Sequence, residues 1–174
     1  SIMPGTGLSG WHVLPDRDTP NWTTSDGLLR GRIGGALLTD TADFDNLEIR
    51  ARVRINEGGR AVMLLRAPLD DPMKGYTAAI NSTEWEYPRS GSVGPTHLKT
   101  DMLAPNQFMD CLVTCRTTSD GVEMTGYLNG ILVSEWTDTG KGLPAGAIGF
   151  VVLDPDTRLE VQDVSIRRAS SGSD

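Results

Sequence analysis

The sequence predicts an all-β protein, a β-sandwich of the jelly-roll type with two antiparallel sheets. Apolar and polar residues alternate with a period of two through most of the chain, and no stretch shows the 3.6-residue apolar stripe of a helix. The 20 glycines and 10 prolines place turns between these segments. Many short strands separated by turns are typical of a β-sandwich, and an expected total of about ten to thirteen strands suits the double-sheet jelly roll.

The clearest strand is LEIRARVRI at residues 47–55. Its odd positions carry leucine, isoleucine, alanine and valine, which share one face because successive side chains of a strand point to opposite sides. Its even positions carry one glutamate and three arginines, Glu48, Arg50, Arg52 and Arg54. This strand therefore has one core face and one face open to solvent or to a ligand.

The remaining strands are predicted from the same pattern and from turn residues. AVMLLR at residues 61–66 is apolar at nearly every position, which indicates a strand covered on both faces. Asn129-Gly130 lies between two apolar runs, the strongest short-range signal for a hairpin. The other predicted strand segments are residues 10–14, 28–34, 36–40, 76–81, 111–115, 122–136, 147–153 and 159–168.

The length of 174 residues suits one domain. We expect a single sandwich over residues 1–169, followed by a flexible tail or linker at 170–174, SSGSD. No apolar run is long enough to span a membrane, and the net charge of −7 argues against nucleic acid as a partner. We expect a soluble domain of a larger or exported bacterial protein.

The two cysteines, Cys111 and Cys115, are predicted to be buried and free. On a strand they share a face with their Cα atoms about 13 Å apart, whereas a disulfide needs a Cα separation within about 7 Å. Too few other ligands accompany them for a metal site. Asp70, Asp71, Asp154 and Asp156 could supply oxygens to calcium, but aspartate beside proline first indicates a turn, so no cofactor or metal is expected.

The segment TEWEY, residues 83–87, holds two carboxylates and two aromatic rings. Glu84 and Glu86 lie about 6.6 Å apart on one face of a strand, which matches the carboxylate spacing of an inverting glycosidase, about 6.5–9.5 Å. Those carboxylates must flank the bond from opposite sides, so this pair is a weak catalytic candidate. Trp85 and Tyr87 could instead offer flat faces to a sugar ring, or the rings could cover the sandwich edge.

The arginine stripe on strand 47–55 has two interpretations. The arginines either pair with acids on neighbouring strands or hold an anionic or polyhydroxyl ligand, since guanidinium is a planar group with several donors. His97 lies in the long central stretch after TEWEY, where a rigid sandwich usually carries its functional loops.

Four short motifs occur in a specific order along the chain. They are L-x-G-W at residues 8–11, W-x-x-x-D-G-x-L at 22–29, L-N-G at 128–130 and G-x-I-G at 146–149. In this order the chain resembles the 3-keto-disaccharide hydrolase family from Leu8 to Arg168. The resemblance implies a concanavalin A-like, laminin G-like jelly roll and a polar sugar site.

The chain departs from the family at the polar positions. Where members tend to read E-F-R-I, N-S-G and Y-E-x-Q, this chain has RVRI at 52–55, RAV at 60–62 and YTAA at 76–79. Only Arg66 and Tyr76 match in that neighbourhood. The acids and amides that the resemblance implies for the sugar site are therefore replaced, and hydrolysis is not expected.

The leading prediction is a carbohydrate-binding or interaction module with a carbohydrate or another protein as its partner. The alternatives are a glycoside hydrolase acting on keto-disaccharides, with Glu84 or Glu86 as acid–base residue, and a structural or oligomerisation domain. The predicted ligand surface is a concave sheet with adjoining loops, formed by Arg52, Arg54, Arg66, Tyr76, Trp85, Glu86 and His97.

Overall fold

The computed structural model describes residues 1–4, 7–15, 21–32, 35–83, 88–96 and 104–169. These residues form twelve strands in two antiparallel sheets and one turn of 3₁₀-helix, Pro72–Lys74. The predicted all-β jelly-roll sandwich is confirmed. The strands are β1 Trp11–Leu14, β2 Trp22–Ser25, β3 Leu28–Arg32, β4 Gly35–Thr39, β5 Leu47–Ile55, β6 Arg60–Ala67, β7 Tyr76–Asn81, β8 Met109–Thr118, β9 Gly121–Leu128, β10 Ile131–Asp138, β11 Ala147–Val152 and β12 Arg158–Arg168.

Most neighbouring strands in the two sheets are distant in sequence. The five-stranded sheet has the order β1-β4-β11-β6-β7, and the seven-stranded sheet has the order β10-β9-β8-β5-β12-β3-β2. The predicted Asn-Gly hairpin connects β9 to β10, and Asn129 has the positive φ of 49° that this tight turn requires. Among the described residues no helix is long and apolar enough to cross a membrane.

The core lies between the two sheets and follows the period-two pattern. Leu47, Ile49, Ala51 and Val53 of β5 are fully buried, while the residues between them point outward. Trp22 is also fully buried, and its ring lies 6.4 Å from that of Phe150 between their centroids. Cys111 and Cys115 are buried and free, as predicted.

Strand β6 is buried on both faces, as its continuous apolar run predicts. Met63 and Leu65 belong to the core between the sheets, whereas Val62 and Leu64 belong to a smaller apolar cluster on the outer face of the five-stranded sheet. At Arg66 the alternation breaks, because this residue has a φ of +49° and the register with β11 shifts at the same point. Such a β-bulge redirects the side chain that follows the regular strand.

Candidate functional site

The predicted site residues divide into three groups. Glu84, Trp85, Glu86 and His97 lie outside the described residues. Arg52 and Arg54 lie on the outer face of the seven-stranded sheet, and Arg66 and Tyr76 lie at the end of the sandwich interior. Among the described residues the structure therefore brings the predicted residues together only in pairs.

Arg52 and Arg54 lie beside the same aromatic ring and are paired with acids. Their guanidinium carbons are 5.5 Å and 4.5 Å from the centroid of Phe108, which is within cation–π range. Arg54 forms an ion pair with Glu160 on β12, and Arg52 Nε lies 3.8 Å from Asp110 Oδ1 on β8. Cross-strand pairing, one of the two interpretations of the stripe, accounts for these contacts.

Arg66 connects the two sheets instead of facing a ligand surface. Its side chain is 4% exposed and donates to the carbonyl oxygen of Asp45 at 3.2 Å, that of Leu143 at 2.8 Å and Thr117 Oγ1 at 2.8 Å. Thr117 belongs to β8 of the opposite sheet. The bulge in β6 turns Arg66 inward, so it does not share a surface with Arg52.

Tyr76 fixes the segment that follows β10. Its hydroxyl donates to Asp138 Oδ2 at 2.7 Å and accepts from the backbone N–H of Leu143 at 2.9 Å. Burial, and then the hydrogen bond to Asp138, raise the pKa of Tyr76 to about 12, and the same hydrogen bond lowers the pKa of Asp138. Arg66 and Tyr76 thus both hold Leu143 in place.

We expect replacement of Tyr76 with phenylalanine to lower the free energy of unfolding by about 1 kcal/mol at pH 8, the usual net value of one hydrogen bond. Because the folded-state pKa is raised from 10.0 to about 12, the hydroxyl's contribution is complete below pH 10 and is lost as the pH rises towards 12. Urea unfolding at several pH values measures the difference between the two proteins. That difference should shrink above pH 10, and a constant difference would contradict this account.

Two of the positions at which the resemblance implies a carboxylate or an amide, Thr77 and Ala79, lie on a different, apolar face. Thr77 pairs with Leu64, and Ala79 pairs with Val62, so both lie on the outer face of the five-stranded sheet. The buried cluster on that face is formed by Leu38, Val62, Leu64, Val151 and three alanines, with Leu14 and Ala42 partly buried against it. Among the described residues this face offers no carboxylate pair to a sugar.

A groove lined mainly by polar residues lies on the outer face of the seven-stranded sheet, across β5, β8 and β9. Its volume is about 240 Å³. Strand register places its residues in cross-strand rows, with Thr114 between Glu48 and Thr125, and Tyr127 opposite Leu112. We call this the outer-face groove, lined by Glu48, Leu112, Thr114, Arg116, Glu123, Thr125 and Tyr127.

Charges in the outer-face groove are fixed by ion pairs at one end. Glu48 Oε1 lies 3.1 Å from Arg116 Nη2, and Glu48 Oε2 accepts from Arg167 Nε at 2.8 Å. The hydroxyls of Thr114 and Thr125 are hydrogen-bonded at 2.6 Å. Glu123 has no hydrogen-bond or ion-pair partner within the described part of the chain. The groove thus combines an aromatic ring, a free carboxylate, hydroxyls and a guanidinium.

The groove as a whole is not predicted from the sequence, although the alternation along β9 contains part of its signal. In GVEMTGYL the alternation places Glu123, Thr125 and Tyr127 on one face, by the same rule that applies to β5. Alternation does not show which strands lie next to β9, because β8 stands between β5 and β9 only in the folded sheet. The described residues contain no cluster of three or more metal-ligating His, Cys, Asp or Glu side chains.

A family comparison identifies the domain. The model of the 3-keto-alpha-glucoside-1,2-lyase-like domain matches residues 1–167. The chain belongs to this family. The resemblance seen in the order of sequence motifs is thereby confirmed. No curated protein sequence matches the chain.

Other solved structures share the family's sandwich at low sequence identity. The carbohydrate binding module CBM66 from Bacillus subtilis is 18% identical, with a TM-score of 0.67, covering 91% of this chain and 95% of its own. The VIP36 exoplasmic/lumenal domain, in a Ca²⁺/Man3GlcNAc-bound form, is 10% identical, with a TM-score of 0.62 and coverages of 99% and 89%. An endo-beta-1,4-glucuronan lyase from the fungus Trichoderma reesei is 12% identical, with a TM-score of 0.59 and coverages of 94% and 93%. These likenesses establish the fold.

Proposed function

We propose that the chain is a non-catalytic carbohydrate-binding module that holds its ligand in the outer-face groove. The observation that carries the proposal is the placement of the Tyr127 ring beside Glu123, Arg116 and two threonine hydroxyls in one open groove. Membership of the family and the likeness to a carbohydrate-binding module and to a glycan-bound domain support it.

The chemistry of the outer-face groove suits a sugar ring. A sugar presents hydroxyls around its edge and C–H groups on its faces, so it needs both polar partners and a flat apolar surface. Tyr127 supplies an aromatic face with a polar tip, Arg116 supplies several donors in one plane, and Glu123 supplies acceptors. The groove is shallow and open, which suits recognition of part of a longer glycan.

The carboxylates described in the groove do not form a hydrolytic pair. Glycoside hydrolysis needs one carboxyl group as acid and a second as base or nucleophile, on either side of the bond. Both oxygens of Glu48 are engaged, one by Arg116 and the other by Arg167. Among the described residues, Glu123 is then the one carboxylate in the groove that no other group engages. A binding module without catalytic activity usually brings an attached catalytic domain to its substrate. We therefore propose that this domain works within a larger, exported bacterial protein.

We expect Tyr127→Ala to weaken glycan binding about tenfold, as for a central aromatic contact. A thermal-shift screen of neutral glycans and keto-sugars finds the ligand, because a ligand at about a hundred times its Kd stabilises a protein by roughly 2.7 kcal/mol. Calorimetric titration of that ligand then compares wild type with Tyr127→Ala. Tyr127→Phe should retain most of the affinity, since it keeps the ring.

Glutamate variants provide a matched test of the acceptor. Glu123→Gln should weaken binding, whereas Glu57→Gln, which removes the same charge from an exposed turn outside the groove, should not. If Tyr127→Ala and Glu123→Gln left glycan binding unchanged, the outer-face groove would not be the binding site. If the protein released sugar products and Glu84→Gln or Glu86→Gln abolished that release, the glycoside hydrolase alternative would be established instead. A stable oligomer without any sugar response would establish the structural alternative.

A further inference from the structure

Two arginines face each other at the end of the sandwich opposite to the outer-face groove. Arg32 of β3 and Arg158 of β12 are direct cross-strand neighbours, and both are exposed. Neither guanidinium group has a hydrogen-bond or ion-pair partner within the ranges that the structure describes. Like charges directly opposite each other on a sheet are destabilising, so this pair is not explained by the stability of the fold.

Asp156 lines the same cavity, but no carboxylate of the described residues forms an ion pair with Arg32 or Arg158. Glu160, two residues further along β12, is shared between Arg30, at 3.3 Å, and Arg54. The chain as a whole has a net charge of −7, so an uncompensated pair of arginines stands out from its overall charge. The pair therefore offers an incoming anion two guanidinium groups that no described residue engages.

A cavity of about 350 Å³ lies against this pair. Arg32, Asn56, Pro155, Asp156, Thr157 and Arg158 line it, and we call it the end cavity. Its volume is at the lower end of small-molecule sites, about 300–1,000 Å³, which corresponds to one sugar ring. The outer-face groove and the end cavity are separate sites. Glu48 of the groove and Asn56 of the cavity are eight residues of extended chain apart, about 26 Å.

The walls of the end cavity are held in place by hydrogen bonds. Asn56 Oδ1 accepts from the backbone N–H of Arg158 at 2.6 Å, and Asn56 Nδ2 donates to the carbonyl oxygen of Asp156 at 3.1 Å. Thr157 is buried, and its Oγ1 accepts from the backbone N–H of Arg60 at 2.8 Å. The turn that carries Asp156 and Arg158 is thus pre-organised, so little ordering is needed when a ligand binds.

We propose that the end cavity binds the carboxylate-bearing ring of an acidic saccharide, such as a hexuronic acid. The paired guanidinium groups of Arg32 and Arg158 would take the carboxylate, since guanidinium matches a carboxylate with two parallel hydrogen bonds. Asp156 lines the same cavity and accepts hydrogen bonds from ring hydroxyls, while it repels an anion that has no hydroxyls to offer. This second site does not depend on the outer-face groove.

The test is an NMR titration of the labelled protein with D-glucuronate, with D-glucose and with inorganic sulfate. We expect glucuronate to shift the backbone amide signals of Asn56, Thr157 and Arg158. Glucose and sulfate should bind there with at least tenfold lower affinity. Arg32→Gln and Arg158→Gln should each weaken glucuronate binding about tenfold, as for a charge-assisted hydrogen bond. Lys141→Gln, which removes one exposed positive charge elsewhere, should leave it unchanged.

A second readout separates loss of the site from loss of the fold. Removing one of two like charges should leave the melting temperature of ligand-free Arg32→Gln equal to or above that of wild type. The proposal is overturned if glucuronate causes no shift at these amides, if it binds the arginine variants as well as wild type, or if sulfate or glucose binds there equally well. Because Tyr127→Ala should not alter these shifts, the result is independent of the groove.

Discussion

Replacement of Arg66 with methionine is expected to lower the free energy of unfolding by about 4 kcal/mol. Arg66 is buried and makes three hydrogen bonds that join β6 to Asp45, to β8 and to Leu143. A hydrogen bond to a charged group contributes about 1.5–3 kcal/mol, and a buried acceptor left without a donor adds to the loss. For a domain of this length such a loss corresponds to a melting temperature lower by about 8–16 °C.

Urea unfolding followed by tryptophan fluorescence measures this change. Arg50→Met is the matched control, because Arg50 is exposed on β5 and its one ion pair with a described residue is a 3.6 Å contact with Asp110. An exposed ion pair of this kind contributes about 0–1 kcal/mol. Arg66→Lys should recover little of the loss, since one ammonium group cannot reproduce the planar fork of donors. If Arg66→Met were as stable as Arg50→Met, the conclusion that Arg66 holds the two sheets together would be wrong.

Replacement of Gly149 with alanine is expected to destabilise the fold by about 3 kcal/mol, the upper range for overpacking a core. A Cβ atom at this position would lie 2.2 Å from the carbonyl oxygen of Leu37 and 2.6 Å from Cδ2 of Leu38. Gly149 lies on β11 between β4 and β6, so neither neighbouring backbone can withdraw without breaking strand pairing. The second glycine of the G-x-I-G motif thus permits close approach of backbones.

Gly140→Ala is the control for this prediction. Gly140 is exposed, and a Cβ atom there would meet only a side-chain oxygen of Asp138, at 3.0 Å. Surface substitutions of this kind usually change stability by less than about 0.5 kcal/mol. Calorimetric melting of both variants checks the difference, and equal melting temperatures would show that the sheet accommodates the added methyl group.

Local patterns in the sequence predict the fold well. Alternation along residues 47–55 identifies the buried and the outward residues of β5, and Asn129-Gly130 identifies the β9–β10 hairpin. Both follow from geometry that acts over a few residues. The Trp22 motif shows the limit of this approach, because β2 was not predicted as a strand although its tryptophan is fully buried against Phe150.

The site could be predicted only in part, because it depends on pairings between distant segments. Alternation alone does not show that a bulge at Arg66 turns its side chain into the interior. The same limit applies to the outer-face groove, whose residues come from three strands, and to Arg32 and Arg158, which become neighbours only through the pairing of β3 with β12. Register between distant strands is set by packing, which composition and spacing do not reveal.

The strand order also determines when this protein can fold during its synthesis. Strand β11 is central in the five-stranded sheet and β12 lies between β5 and β3 in the other, so both sheets remain divided until these last two strands leave the ribosome. Until then β4, β6, β3 and β5 each present an unpaired edge, and such edges are prone to aggregation. Completion of both sheets must therefore wait for nearly all of the described chain, and the open edges of the unfinished sheets are the aggregation hazard of that interval.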